Sequence, residues 1–117
     1  MKQSLFCTIP YPPSQNGYLR RGRGGVYQHP AAKAYKQAVA LLLKTAVVTK
    51  FVKPHRLTVT LHFFRPRAIG DLDNVLKLPF DALNGVLWED DSQVEEIHAF
   101  RLEDKSNPRV EIEVQAR

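Results

Sequence analysis

Three stretches of this chain hold side chains suited to hydrolytic chemistry: Asp71-Leu72-Asp73-Asn74, Lys77, and Trp88-Glu89-Asp90-Asp91-Ser92-Gln93-Val94. Carboxylates at i and i+2 do not share a face on a continuous helix. In an extended segment they do, about 6.5–7 Å apart at Cα. The pair stands where a strand and turn would hand over to a helix. Asp71 can then be extended while Asp73 sits at or near the N-cap, and both can converge on one cation. Asp and Asn are also ordinary helix caps, so the pair alone is a weak signal. Lys77 would lean back toward these carboxylates, because helical side chains tilt toward the N-terminus. It is either a surface ion pair worth about 0.3–0.5 kcal/mol or an electrostatic partner for a phosphate and its developing charge.

Asp91 supplies a third carboxylate, with Asp90 ranked below it. A helix beginning at Asp73 spans about 20 Å, so the chain must fold back for Asp91 to reach Asp73. Three clustered carboxylates repel one another, and one lysine does not offset them. A divalent cation does, and all-oxygen ligands suit Mg²⁺, with Mn²⁺ as a substitute, rather than zinc. Other chemistries find little support. His29, His55, His62 and His98 show no paired metal spacing, and neither a GxxxxGK[ST] loop nor a nucleophile elbow is present. Cys7, the only cysteine, falls in an apolar strand and is expected in the core. No organic cofactor is expected.

Charge is distributed unevenly. Residues 1–70 contain twelve Lys/Arg and no acid, and residues 71–117 contain five Lys/Arg and all twelve Asp/Glu, so the two parts carry +12 and −7. Such asymmetry points to a polyanionic partner. The basic part would hold a phosphate backbone while metal ions neutralise the one phosphate being cut. One cysteine fits a reducing compartment. The N-terminal apolar stretch is too short for a signal peptide, and the run Ala38 to Leu43 is far short of a membrane span. A cytoplasmic protein with no membrane partner is expected.

The elements that must position these groups are legible in outline. Residues 4–9 alternate as a strand, and Pro10 ends it. Residues 10–30 form a Pro/Gly/Arg-rich segment that reads as a long loop, a feature usually functional or disordered. Residues 31–49 read as a helix with Ala34, Ala38, Leu41, Leu42 and Thr45 at helical spacing. Residues 56–64 alternate, with Leu57, Val59, Leu61 and Phe63 on one face. A basic turn at 65–70 leads to a second helix over 73–86, interrupted by Pro79. Strands at 94–102 and 109–115 are expected to join through a hairpin turn at 103–108. The result is one α+β domain over residues 1–117: a mixed sheet of about four strands with two helices packed on one face.

The run Asp71-Leu72-Asp73-Asn74, Lys77, Phe80-Asp81-Ala82-Leu83, then Trp88 to Val94, after an opening Pro12-Pro13-Ser14-x-Asn16, resembles the RusA family of Holliday-junction resolvases over nearly the whole chain. The stretch between Leu83 and Trp88 is short for that family, and Pro79 sits one position late. The resemblance implies a homodimeric, Mg²⁺-dependent endonuclease that resolves four-way DNA junctions by paired nicks, found in bacteria and their prophages. Asp71, Asp73 and Asp91 match the family's essential acidic positions, and Lys77 its catalytic lysine. Arg20, Arg21, Arg23, Arg65 and Arg67, with Lys33 and Lys36 behind them, are the candidates for contacts to DNA. Tyr11, Tyr18 and Tyr27 either stack on unpaired bases or pack the loop. A nuclease for flap DNA and a non-catalytic DNA-binding module are the rival readings.

Overall fold

A computed structural model describes residues 3–13, 19–22, 25–28, 30–46, 49–66 and 72–117; for residues 19–22, 25–28 and 72–74 it describes the backbone only. The elements run β1 (Ser4–Pro10), β2 (Leu19–Gly22), β3 (Gly25–Gln28), α1 (Pro30–Thr45), β4 (Leu57–Arg65), α2 (Leu72–Leu83), a 3₁₀ turn (Asp91–Gln93), β5 (Val94–Glu103) and β6 (Arg109–Ala116). Four strands form a mixed sheet in the order β1-β6-β4-β5, and two helices accompany it, the α+β arrangement expected.

β4 is central. Leu57, Val59, Leu61 and Phe63 are wholly buried on its helix side, as the alternation predicts. Val110, Ile112 and Val114 of β6 and Ile9 of β1 extend the same apolar layer. Against it pack Ala32, Tyr35, Val39 and Leu43 of α1 and Leu78, Ala82 and Leu83 of α2. The other sheet face is polar and aromatic: His62 stacks on Phe100, ring centroids 4.9 Å apart, and the Arg109 guanidinium lies 3.8 Å over the Phe64 ring.

Four sequence expectations are corrected, the last at the end of α2. The expected loop over residues 10–30 contains an antiparallel strand pair, β2 with β3. The α1 stripe is rotated: Leu41 is 67 % and Leu42 44 % exposed, and the buried face is 32, 35, 39 and 43. Apolar residues occupy both faces of α1, so periodicity alone could not choose. Tyr35 selects the face, its hydroxyl donating to the Pro10 carbonyl at 2.7 Å. Third, β5 and β6 are not a hairpin. β4 lies between them, parallel to β5 and antiparallel to β6. Residues 104–108 instead wrap the Arg65 end of β4. The Asp104 N–H donates to the Arg65 carbonyl at 2.9 Å, and Arg109 bonds Asp104 at 2.8 Å, which holds the Asp104 carboxyl below its usual range. β5 takes the edge because its outward side chains include Glu95, Glu96, His98, Arg101 and Glu103, which deter further pairing.

α2 ends at Leu83 rather than at residue 86. The Leu83 carbonyl accepts from the N–H groups of Val86 and Leu87 at 3.0 and 2.9 Å, and Gly85 takes φ +81° while donating to the Trp88 carbonyl at 2.7 Å. That conformation disfavours any Cβ. A Cβ at Gly85 would meet nothing within 4 Å, so Gly85→Ala tests backbone strain alone. Urea denaturation should show a loss of about 1–2 kcal/mol.

Candidate functional site

The connection from α2 to β5 carries the acidic run, and its local chemistry differs residue by residue. Asp90 caps the 3₁₀ turn from an extended backbone, φ −153° and ψ 144°. Its carboxylate accepts from the Ser92 N–H at 3.0 Å, and its own N–H donates to Gln93 Oε1 at 3.0 Å. This reciprocal box satisfies donors that a short helix leaves open. Hydrogen bonding to Ser92 holds the Asp90 carboxyl below its usual range, so its charge is committed to the cap. Glu89 is committed too, accepting from the Lys53 N–H at 2.7 Å.

Gln93 is the buried polar side chain beneath the turn, 4 % exposed. Its amide donates to the Phe51 carbonyl at 3.3 Å and the His55 carbonyl at 3.0 Å. Main-chain bonds from Phe51 N–H to the Leu87 carbonyl and from Glu89 N–H to the Phe51 carbonyl run alongside. The acidic turn is thereby laced to the segment that precedes β4.

Asp91 is held differently. The Trp88 indole N–H donates to Asp91 Oδ1 at 2.7 Å. Trp88 is fully buried, and its ring packs against Phe80 of α2 with centroids 5.1 Å apart. Asp73, Lys77 and Phe80 fall at i, i+4 and i+7, one stripe of that helix. Trp88 thus links Asp91 to Phe80 of the helix whose first turn carries Asp73, and Phe80 itself stands about 10.5 Å of rise from Asp73. Lys77 is exposed on the stripe between them.

Asp71 and the side chain of Asp73 lie outside the described residues, as do Arg23, Arg67 and Tyr18. Among the described residues no three His, Cys, Asp or Glu side chains stand close enough to hold a metal ion. Asp91 itself suits a hard cation: the donor is a carboxylate, and among the described residues Trp88 is its one side-chain partner.

The candidate basic residues are dispersed. Arg20 and Arg21 are in β2, described as backbone, as is Tyr27 in β3. Lys33 and Lys36 lie off the buried face of α1. Arg65 lies along β5, donating to the Leu102 carbonyl at 3.4 Å and facing Glu103 at 3.6 Å. Tyr11 packs on the core, and burial raises its hydroxyl pKa. Burial pushes the Cys7 thiol up to about 11, so it is no nucleophile at neutral pH.

Sequence reasoning gave no role to Trp88 or Gln93, passed over Lys53 and Arg56, and set His55 aside with the other histidines. Lys53, His55 and Arg56, with Pro54, Ser92 and Gln93, line a hollow of about 350 Å³ beside the turn. The Asp90-x-x-Gln93 spacing, a capping box, was the available signal for Gln93.

The family model described as "Endodeoxyribonuclease RusA" matches residues 10–115. A crossover junction endodeoxyribonuclease RusA of Escherichia coli (strain K12) is 32 % identical over 109 residues, covering 92 % of this chain and 90 % of the relative. The protein of that name from Enterobacteria phage 82 is 31 % identical over 113 residues, covering 95 % and 93 %. One from Shigella sonnei (strain Ss046) is 31 % identical over 109 residues, covering 92 % and 90 %.

Proposed function

The chain belongs to the RusA family of endodeoxyribonucleases, and from that membership we propose that it resolves four-way DNA junctions by paired, symmetric, Mg²⁺-dependent nicks. The names of its relatives support the substrate. The observation that supports the chemistry is the Trp88–Asp91 bond, with the Trp88 ring packed on Phe80 of the helix that bears Asp73 and Lys77.

Asp71, Asp73 and Asp91 would hold the metal, Mg²⁺ or Mn²⁺ in its place. When bound, it supplies an activated water and offsets charge on the phosphate and leaving oxygen. Lys77 adds positive charge beside the phosphate. Arg20, Arg21, Arg23, Arg65 and Arg67, with Lys33 and Lys36, bind the sugar-phosphate backbone. Their contribution is electrostatic, so affinity falls as salt rises.

Two symmetric cuts call for two identical sites, which a C2 homodimer provides. Light scattering should give twice the chain mass. A substrate of this kind sets the protein to work in the cytoplasm of a bacterium, from a host or prophage gene. No helix among the described residues is long and apolar enough to cross a membrane.

The test is a synthetic mobile junction, end-labelled and incubated with and without Mg²⁺. Paired nicks at symmetric positions are expected only with the metal, and preference for flap DNA overturns the proposal. Asp73→Asn should abolish cleavage and keep junction binding. A non-catalytic DNA-binding module would lose nothing measurable.

A further inference from the structure

Three consecutive acids precede β5, and the structure treats them unequally. Glu89 and Asp90 accept backbone N–H groups, from Lys53 and Ser92. Asp90 takes a bond from the Ser92 side chain as well, within its own cap, whereas Asp91 accepts from the indole of the chain's one tryptophan. A buried indole N–H needs an acceptor, which a backbone carbonyl would supply without burying part of a charge. Here the acceptor is a carboxylate.

Trp88 is well placed to hold that carboxylate still. Its ring is wholly buried and packed on Phe80, so the N–H has one direction. The backbone of Asp91 is fixed independently by the Asp90–Gln93 box and by the Gln93 bonds to Phe51 and His55. With backbone and Oδ1 both held, carboxylate rotation is restrained. Oδ2 is left as the oxygen that no described residue's hydrogen bond occupies.

We propose that Trp88 is a positioning residue for the metal: its indole N–H fixes Asp91 so that the carboxylate meets the cation through one preset oxygen. This rests on Asp91 being a ligand, as proposed above. Partners that orient a ligating group in this way typically contribute about 10–100-fold to metal affinity.

The experiment is a Mn²⁺ titration of the full chain without DNA, followed by electron paramagnetic resonance, with a melting curve for each protein. Trp88→Phe keeps a buried aromatic ring and removes the donor. Replacing tryptophan throughout by 3-benzothienylalanine alters only this position, since the chain has a single tryptophan. It retains the bicyclic shape and puts sulfur where the N–H was, which keeps the test usable if the phenylalanine variant folds poorly. Both are expected to weaken Mn²⁺ binding at least about tenfold, with the benzothienyl protein melting near the parent. Wild-type Mn²⁺ affinity in both proteins, whatever their melting temperatures, overturns the proposal and makes the hydrogen bond merely structural. Asp91→Asn separates the two levels. If it too binds Mn²⁺ like the parent, the assignment of Asp91 as a ligand fails, and the role of Trp88 falls with it. If it loses binding while both Trp88 proteins keep it, the ligand stands and only the positioning role is lost.

Discussion

Replacing Asp91 with asparagine is expected to lower junction cleavage by at least about 10²-fold while folding and junction binding persist. Asparagine keeps the volume of the side chain and an oxygen for the Trp88 indole, so the 2.7 Å bond survives in neutral form. The capping box uses Asp90 and Gln93 and is untouched. Removing one of three adjacent negative charges relieves repulsion with Glu89 and Asp90, so the melting temperature should hold or rise. What disappears is the charge a hard cation needs. The measurement is single-turnover cleavage of a labelled junction in Mg²⁺, beside a gel shift of the same junction in EDTA. Undiminished cleavage removes Asp91 from the site. Lost binding alongside lost cleavage would mean that the substitution damaged the fold or the DNA surface, and would take away the specific claim.

The contrast between what the sequence discloses and what it hides follows from how each feature is encoded. Alternation in Leu57 to Phe63 is unambiguous because β4 is covered on one face only, and the strand and its buried face both follow. α1 has alanine and leucine on every side, so the helix is legible and its orientation is not. The orienting contact, Tyr35 to Pro10, joins residues 25 positions apart. Strand order is hidden for a similar reason. A short connection between β5 and β6 looks like a hairpin until one notes that β4 carries the most apolar face and must have a neighbour on each side. At the candidate site, the acidic types and the Asp90-x-x-Gln93 box are in the sequence. The division of labour among Glu89, Asp90 and Asp91 is not, because it depends on the folded path of the turn, which brings Ser92 and Trp88 to Asp90 and Asp91, and on Lys53, 36 positions away, reaching Glu89.

That dependence makes Gln93 the other residue whose loss should be severe. Its side chain does three things at once: Oε1 accepts from the Asp90 N–H, and Nε2 donates to the carbonyls of Phe51 and His55. Gln93→Leu preserves approximate volume and deletes every bond. The orphaned groups stay packed under the turn, and an unsatisfied buried polar group costs about 1–3 kcal/mol. With partial relaxation, a total loss of about 2–4 kcal/mol is expected in urea unfolding. A core truncation such as Leu61→Ala falls in the same range, about 2–5 kcal/mol, and so provides the control. Leu61 is buried in the sheet and makes no bond to the acidic turn, so cleavage per folded molecule should be unchanged. Gln93→Leu removes the tie between residues 51–55 and the turn that presents Asp91, so cleavage per folded molecule should fall as well. Rates are therefore measured at a temperature where both variants are fully folded by circular dichroism. If the two then cleave equally well, the lacing beneath Asp91 contributes to stability alone, and the placement of its carboxylate depends on Trp88 without help from below.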